Sequence, residues 1–145
     1  MIAIGSDHGG YELKEHVKKH LEERGIEVKD FGVYCEASVD YPDCARPVCE
    51  AVLSGEYERG ILFCGTGIGI SMAANKFNGI RAALCGDVFS AKMAKEHNNA
   101  NIICLGGRVT GRELAFMIVD TFLDAEFQGG RHQQRIDKIH VIEKA

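Results

Sequence analysis

Short β-rich runs alternate along the chain with segments in which apolar side chains recur every three or four residues. The runs are Ile2-Ala-Ile-Gly5, residues 27–31, Gly60-Ile-Leu-Phe-Cys64, residues 80–85 and residues 101–105, and each predicts a strand. Between the first two, Leu13, Val17 and Leu21 stand four apart against Lys and Glu elsewhere, which predicts a helix over 11–24 that Gly25 stops. Further helices are predicted over 40–53, 68–76, 87–97 and 110–123. Pro42 suits the start of the first of these, and Pro47 leaves its opening turn unsettled. Parallel strands need crossover connections and are covered on both faces, so this alternation predicts an α/β fold with a five-stranded parallel sheet in a single domain, 1–145. Ile136, Ile139 and Ile142 give residues 129–145 an apolar stripe at spacing three. That C-terminal helical tail is expected to dock, with a partner subunit as the expected surface.

Composition narrows the class. The chain has 145 residues, 46% hydrophobic and 26% charged. A domain of that size buries roughly 68–70% of its unfolded surface and needs no disulfide or metal staple. No apolar run approaches the roughly 18 residues of a membrane span, and the start lacks the charged segment of a signal peptide. A formal charge of −4 argues against a general nucleic-acid binder. The six cysteines show no zinc-ligand spacing and read as reduced thiols in a cytoplasmic protein, with Cys85 and Cys104 as small core residues.

The glycines direct attention to one edge of the sheet. There are 17, above the usual roughly 7%. Gly5, Gly32, Gly65, Gly86 and Gly106 each follow a predicted strand, at the edge where open α/β sheets bind ligands. The segment Cys64-Gly-Thr-Gly-Ile-Gly-Ile70 runs from strand into helix, a natural anion cradle. It misses the dinucleotide fingerprint at Ile70 and lacks the Gly-Lys-Ser/Thr of a Walker loop, so a nucleotide-binding Rossmann-like module is the weaker alternative. Cys64 at the loop mouth reads either as an activated thiolate or as one more core cysteine. Asp7, His8, His97 and Asn98 offer proton-transfer groups, whereas His16, His20 and His140 read as structural or solvated. Arg108 follows Gly106-Gly107, and Arg131 and Arg135, four apart, could clamp a dianion on one helix face or simply solvate it. Together these residues suggest a sugar phosphate that loses a proton α to a carbonyl while loop amides steady the enediolate oxygen. No metal-ligand spacing accompanies them.

With Gly5-Ser-Asp-His-Gly-Gly, Asp40-Tyr-Pro, Cys64 through Lys76, Gly79-Ile-Arg81, His97-Asn98 and Gly129-Gly-Arg-His-Gln-Gln-Arg135, the chain resembles the type B ribose-5-phosphate isomerases almost end to end. It also resembles, more broadly, their family with the galactose-6-phosphate isomerase subunits. The resemblance implies a Rossmann-like three-layer sandwich and a homodimer, in some members paired into tetramers. It implies a site shared between subunits and interconversion of ribose 5-phosphate and ribulose 5-phosphate without a cofactor. By position it makes Cys64 the base, with Thr66 and the amides of Gly65, Gly67 and Gly69 supporting the enediolate. His97 would open the furanose ring with Asp7 and Asn98. Arg108, Arg131 and Arg135 would hold the phosphate with His8 or His132, and Tyr41 would line the pocket. One branch of the family uses a Glu at the position of Ile70; Ile70 accepts no proton, which puts this chain in the cysteine branch. An allose- or galactose-6-phosphate isomerase is the alternative within the same chemistry.

Overall fold

The computed structural model describes residues 1–145. Its elements are β1 (Ile2–Ser6), α1 (Tyr11–Glu23), β2 (Val28–Asp30), α2 (Tyr41–Leu53), β3 (Arg59–Cys64), α3 (Ile68–Ala74), β4 (Ala82–Leu84), α4 (Val88–Glu96), β5 (Ile102–Gly106), α5 (Arg112–Asp124) and α6 (Arg131–Glu143). All five strands are parallel, in the order β2-β1-β3-β5-β4. The sequence-based expectation of an α/β, five-stranded parallel sheet with a helical tail holds.

Strand alternation builds two cores. Ile2, Ile4, Ile61, Phe63, Ile103 and Leu105 point to one face, where Leu13, Val17 and Leu21 of α1 meet α4 and α5. Ala3, Leu62, Cys64, Ile102 and Cys104 point to the other, against α2 and α3. Burial on both sides is why the central strands read as continuous apolar runs. The expected strand over 80–85 is only three residues long, because β4 is an edge strand paired on one side to β5. On its open side, the Asn75 side chain takes the Ala82 N–H at 2.8 Å and donates to the Ala82 carbonyl at 2.9 Å.

Helix ends follow local chemistry. Gly25 has φ +78°; its N–H donates to the Glu22 carbonyl and that of Ile26 to the Leu21 carbonyl, closing α1 in a Schellman turn. Pro42 sits in the first turn of α2, and the helix continues through Pro47. The tail docks on its own chain through His132 and Ile136, while Ile139 and Ile142 remain 44% and 74% exposed.

Candidate active site

The strand order changes direction at the carboxyl ends of β1 and β3. From β1 the chain turns to α1 on one face of the sheet, and from β3 to α3 on the other. The crevice at such a switch point is where open α/β sheets take ligands. Three loops close tightly there. The Asp7 N–H donates to the Phe63 carbonyl, the Gly107 N–H to the Cys64 carbonyl at 2.8 Å, and the Arg108 N–H to the Gly65 carbonyl at 2.9 Å. This approach is possible only without side chains: a Cβ on Gly106 would lie 2.6 Å from the Thr66 backbone. Gly67 adds a left-handed turn, φ +82°, where a Cβ would meet the Leu105 backbone at 2.9 Å. Loop packing therefore accounts for glycines that the sequence suggests are reserved for ligand contact.

Inside this frame the Cys64 side chain is 4% exposed, and its Sγ accepts the Gly67 N–H at 3.1 Å. Oδ1 of Asp7 accepts the N–H groups of Gly9 and Gly10 at 2.9 and 3.2 Å, which fixes the carboxylate at the end of β1. His8 Nδ1 accepts the Val39 N–H at 3.2 Å. A ring nitrogen that accepts is unprotonated, so in the neutral ring the proton is on Nε2. Thr66 is exposed, and its Oγ1 accepts the Ile68 N–H. The Arg108 guanidinium lies beside Gly65, and the Tyr41 ring covers Gly69. Tyr41 and Gly69 also line an open cavity of about 460 Å³ with Arg46, Met72, Lys76 and Phe77. Asp7, His8, Tyr41, Cys64, Gly65, Thr66, Gly67, Gly69 and Arg108 thus form one carboxyl-edge group.

The remaining sequence-selected residues stand elsewhere. Helix α4 runs back against the direction of the strands it connects, so its cap, His97, lies at the amino edge, shortly before Ile102 opens β5. Cys64 is level with Gly106 at the far end of that strand. Four steps of about 3.3 Å put roughly 13 Å of sheet between the two levels. His97 stacks on His132, with ring centroids 4.2 Å apart and planes 12° from parallel. Burial, helped by His97, Arg131 and Arg135, holds the His132 pKa below its ordinary value. Arg131 and Arg135 are exposed one turn apart on α6, and Asn98 lines a second cavity with Ile139 and Ile142. Within one chain, then, Cys64 and Asp7 do not have His97 for company, and the residues divide into two groups at opposite ends of the sheet.

Four of the other cysteines, Cys44, Cys49, Cys85 and Cys104, behave as core residues. Burial pushes the Cys44 and Cys85 thiols up to about 11 and Cys49 to about 12, and also raises Cys104. Cys35 is exposed. No three His, Cys, Asp or Glu side chains gather as they would to hold a metal ion, and no helix is long and apolar enough to cross a membrane. His20 is structural, stacked on Phe116 and bonded to Asp120. Lys14 was not singled out by sequence, yet it is wholly buried beside the β1 loop. Its signal is helical phase: seven residues before Leu21, it lies within about 20° of that core residue's direction.

A doubly faced parallel sheet with a thiol and a carboxylate at its switch point makes this an α/β protein with groups able to move a proton at the edge where such sheets take ligands. The chain belongs to the Ribose/Galactose Isomerase family, whose profile matches residues 2–139. It is 52% identical over 143 residues to ribose-5-phosphate isomerase B of Escherichia coli, covering 99% of this chain and 96% of that one. The structure of ribose-5-phosphate isomerase B from Clostridium thermocellum superposes with a TM-score of 0.97 at 60% identity, covering 99% of this chain and 97% of that chain. That of Mycoplasma genitalium, with bound ribulose-5-phosphate, gives 0.93 at 46% identity and covers 99% and 95%.

Proposed function

We propose that this chain is a ribose-5-phosphate isomerase, interconverting ribose 5-phosphate and ribulose 5-phosphate as a homodimer. The whole of 1–145 is one isomerase domain whose tail, 129–145, packs on the partner. The observation that carries this reading is the nearly buried Cys64 sulfur at the sheet's switch point, held by the Gly67 amide beside the Asp7 loop. Membership of the family and the resemblance to ribulose-5-phosphate-bound Mycoplasma genitalium isomerase support the substrate class.

In the proposed reaction the Cys64 thiolate takes the proton from C2 of the open-chain aldose. The C2–H electron pair becomes the C1=C2 bond, and the C1 carbonyl oxygen becomes the enediolate oxygen. Cys64 returns the proton to C1 while the hydroxyl proton moves from O2 to O1, leaving the ketone at C2. Donors aimed at the developing charge lower the barrier, a role for Thr66 and the amides of Gly65, Gly67 and Gly69. Atoms and electrons balance within the sugar, so the step needs neither oxidant nor cofactor. Ring opening needs an acid–base group near the ring oxygen, for which His97, with Asp7 and Asn98, is assigned. The phosphate falls to Arg108, Arg131 and Arg135 with His8 or His132, and Tyr41 walls the pocket.

Because His97, Asn98, Arg131, His132 and Arg135 stand at the amino edge, a complete site is assembled from the carboxyl-edge group of one copy and the amino-edge group of another. The uncovered apolar stripe of Ile139 and Ile142 supports such a partner. The test is an isomerisation assay with the purified chain and its Cys64→Ala variant. Turnover on ribose 5-phosphate that the variant loses is expected, and near-normal turnover by the variant would remove Cys64 from the mechanism. The family description also names galactose, which favours a hexose 6-phosphate as second reading. Side-by-side kcat/KM values on pentose and hexose phosphates decide between them.

A further inference from the structure

Lys14 is a cation that the proposed reaction does not use, and its position is costly. Its side chain has no solvent exposure. Nζ donates to both oxygens of Asp30, at 2.8 and 2.6 Å, and to the Val33 carbonyl at 2.7 Å. The Tyr11 and Tyr34 rings lie 5.3 and 5.5 Å from it. A well-packed apolar side chain would commonly stabilise the fold as much as a buried ion pair, so such a pair is better understood by the geometry it imposes.

That geometry leads to the β1 loop. Asp30 ends β2, and its Oδ1 also accepts the Gly32 N–H at 2.8 Å. The next residues are bonded to the end of β1: the Ser6 N–H donates to the Gly32 carbonyl and the Val33 N–H to the Ser6 carbonyl. Ser6 is followed by Asp7 and His8. The same connection, residues 31–40, then returns to give the Val39 N–H to His8 Nδ1. Lys14 therefore grips both the start of this connection and, through Val33, the end of β1, from which the loop carrying His8 leaves.

We propose that Lys14 is a positioning residue for His8: by fastening the 31–40 connection, it keeps Val39 on Nδ1 and leaves Nε2–H as the donor offered to the substrate phosphate. This rests on the isomerase reading for the word substrate, but the tautomer is independent of it.

The experiment compares wild type with Lys14→Met, which keeps the length and loses the charge, and Asp30→Asn, which keeps an oxygen for Gly32. NMR of the His8 ring in the substrate-free protein, at a pH where it is neutral, reports which nitrogen carries the proton. Wild type is expected to show the Nε2–H form. The variants should show a mixture, with KM for ribose 5-phosphate raised roughly three- to tenfold and kcat little changed. Should Lys14→Met fail to fold, Asp30→Asn carries the comparison. A pure Nε2–H ring with unchanged KM in every folded variant overturns the proposal. Absence of isomerase turnover in wild type would instead overturn the functional reading while leaving the tautomer measurement standing.

Discussion

Two defective copies should rebuild one working site. Cys64→Ala removes the proposed base at the carboxyl edge, and His97→Gln removes the ring-opening group at the amino edge. Loss of a general acid or base costs about 10²–10⁴-fold, so either homodimer alone is nearly silent. In a two-fold dimer each interface site pairs the carboxyl-edge group of one copy with the amino-edge group of the other. Random mixing gives about half heterodimers, each with one site carrying both lesions and one carrying neither, so about one quarter of wild-type turnover returns in the mixture and about one half in the purified heterodimer. The roughly 13 Å of sheet between the levels of Cys64 and His97 is what keeps the lesions in different sites. The assay is co-expression with two affinity tags, double purification and turnover on ribose 5-phosphate. A doubly tagged heterodimer no more active than its parents would refute the shared-site geometry.

Arg135→Ala should raise KM with little change in kcat, since the phosphate is remote from the transferred proton; steady-state kinetics reading a normal KM would count against the clamp. Gly67→Ala should lower stability by about 1–2 kcal/mol from its left-handed φ alone, with more from the contact a Cβ would make with the Leu105 backbone. Denaturant melts measure it, and an unchanged midpoint would contradict the close packing. The folded His132 pKa lies below its ordinary 6.5, so between those two values the unfolded chain binds more protons. Stability therefore rises with pH across that window and is lost as pH falls through the folded pKa. A thermal-melt series should lose this slope in His132→Gln; an equal slope in both proteins would place its source elsewhere.

The central strands were legible because β1, β3 and β5 are covered on both faces and cannot hide polar residues: Gly60-Ile-Leu-Phe-Cys64 admits no other reading. Residues 80–85 look similar, but only three of them pair, because nothing in a string of apolar letters marks which strand sits at the edge. The site was half legible. Glycines after strands pointed to the carboxyl edge, where Asp7, His8, Cys64 and Arg108 do gather. That His97 caps a helix returning to the other edge was implied by the alternation itself, yet a motif gives chemistry without direction. Lys14 reads as part of a charged helix face, and its partners, Asp30 and Val33, are brought to it only by strand pairing.

The Asn75 amide clasp on Ala82 has a consequence for assembly. It occupies the backbone donor and acceptor through which a sixth strand would begin to register, so the sheet is closed to growth at that border. Ribbon-like stacking of copies through that border is thereby disfavoured. Replacing Asn75 with a residue that cannot bridge would reopen a route toward filaments.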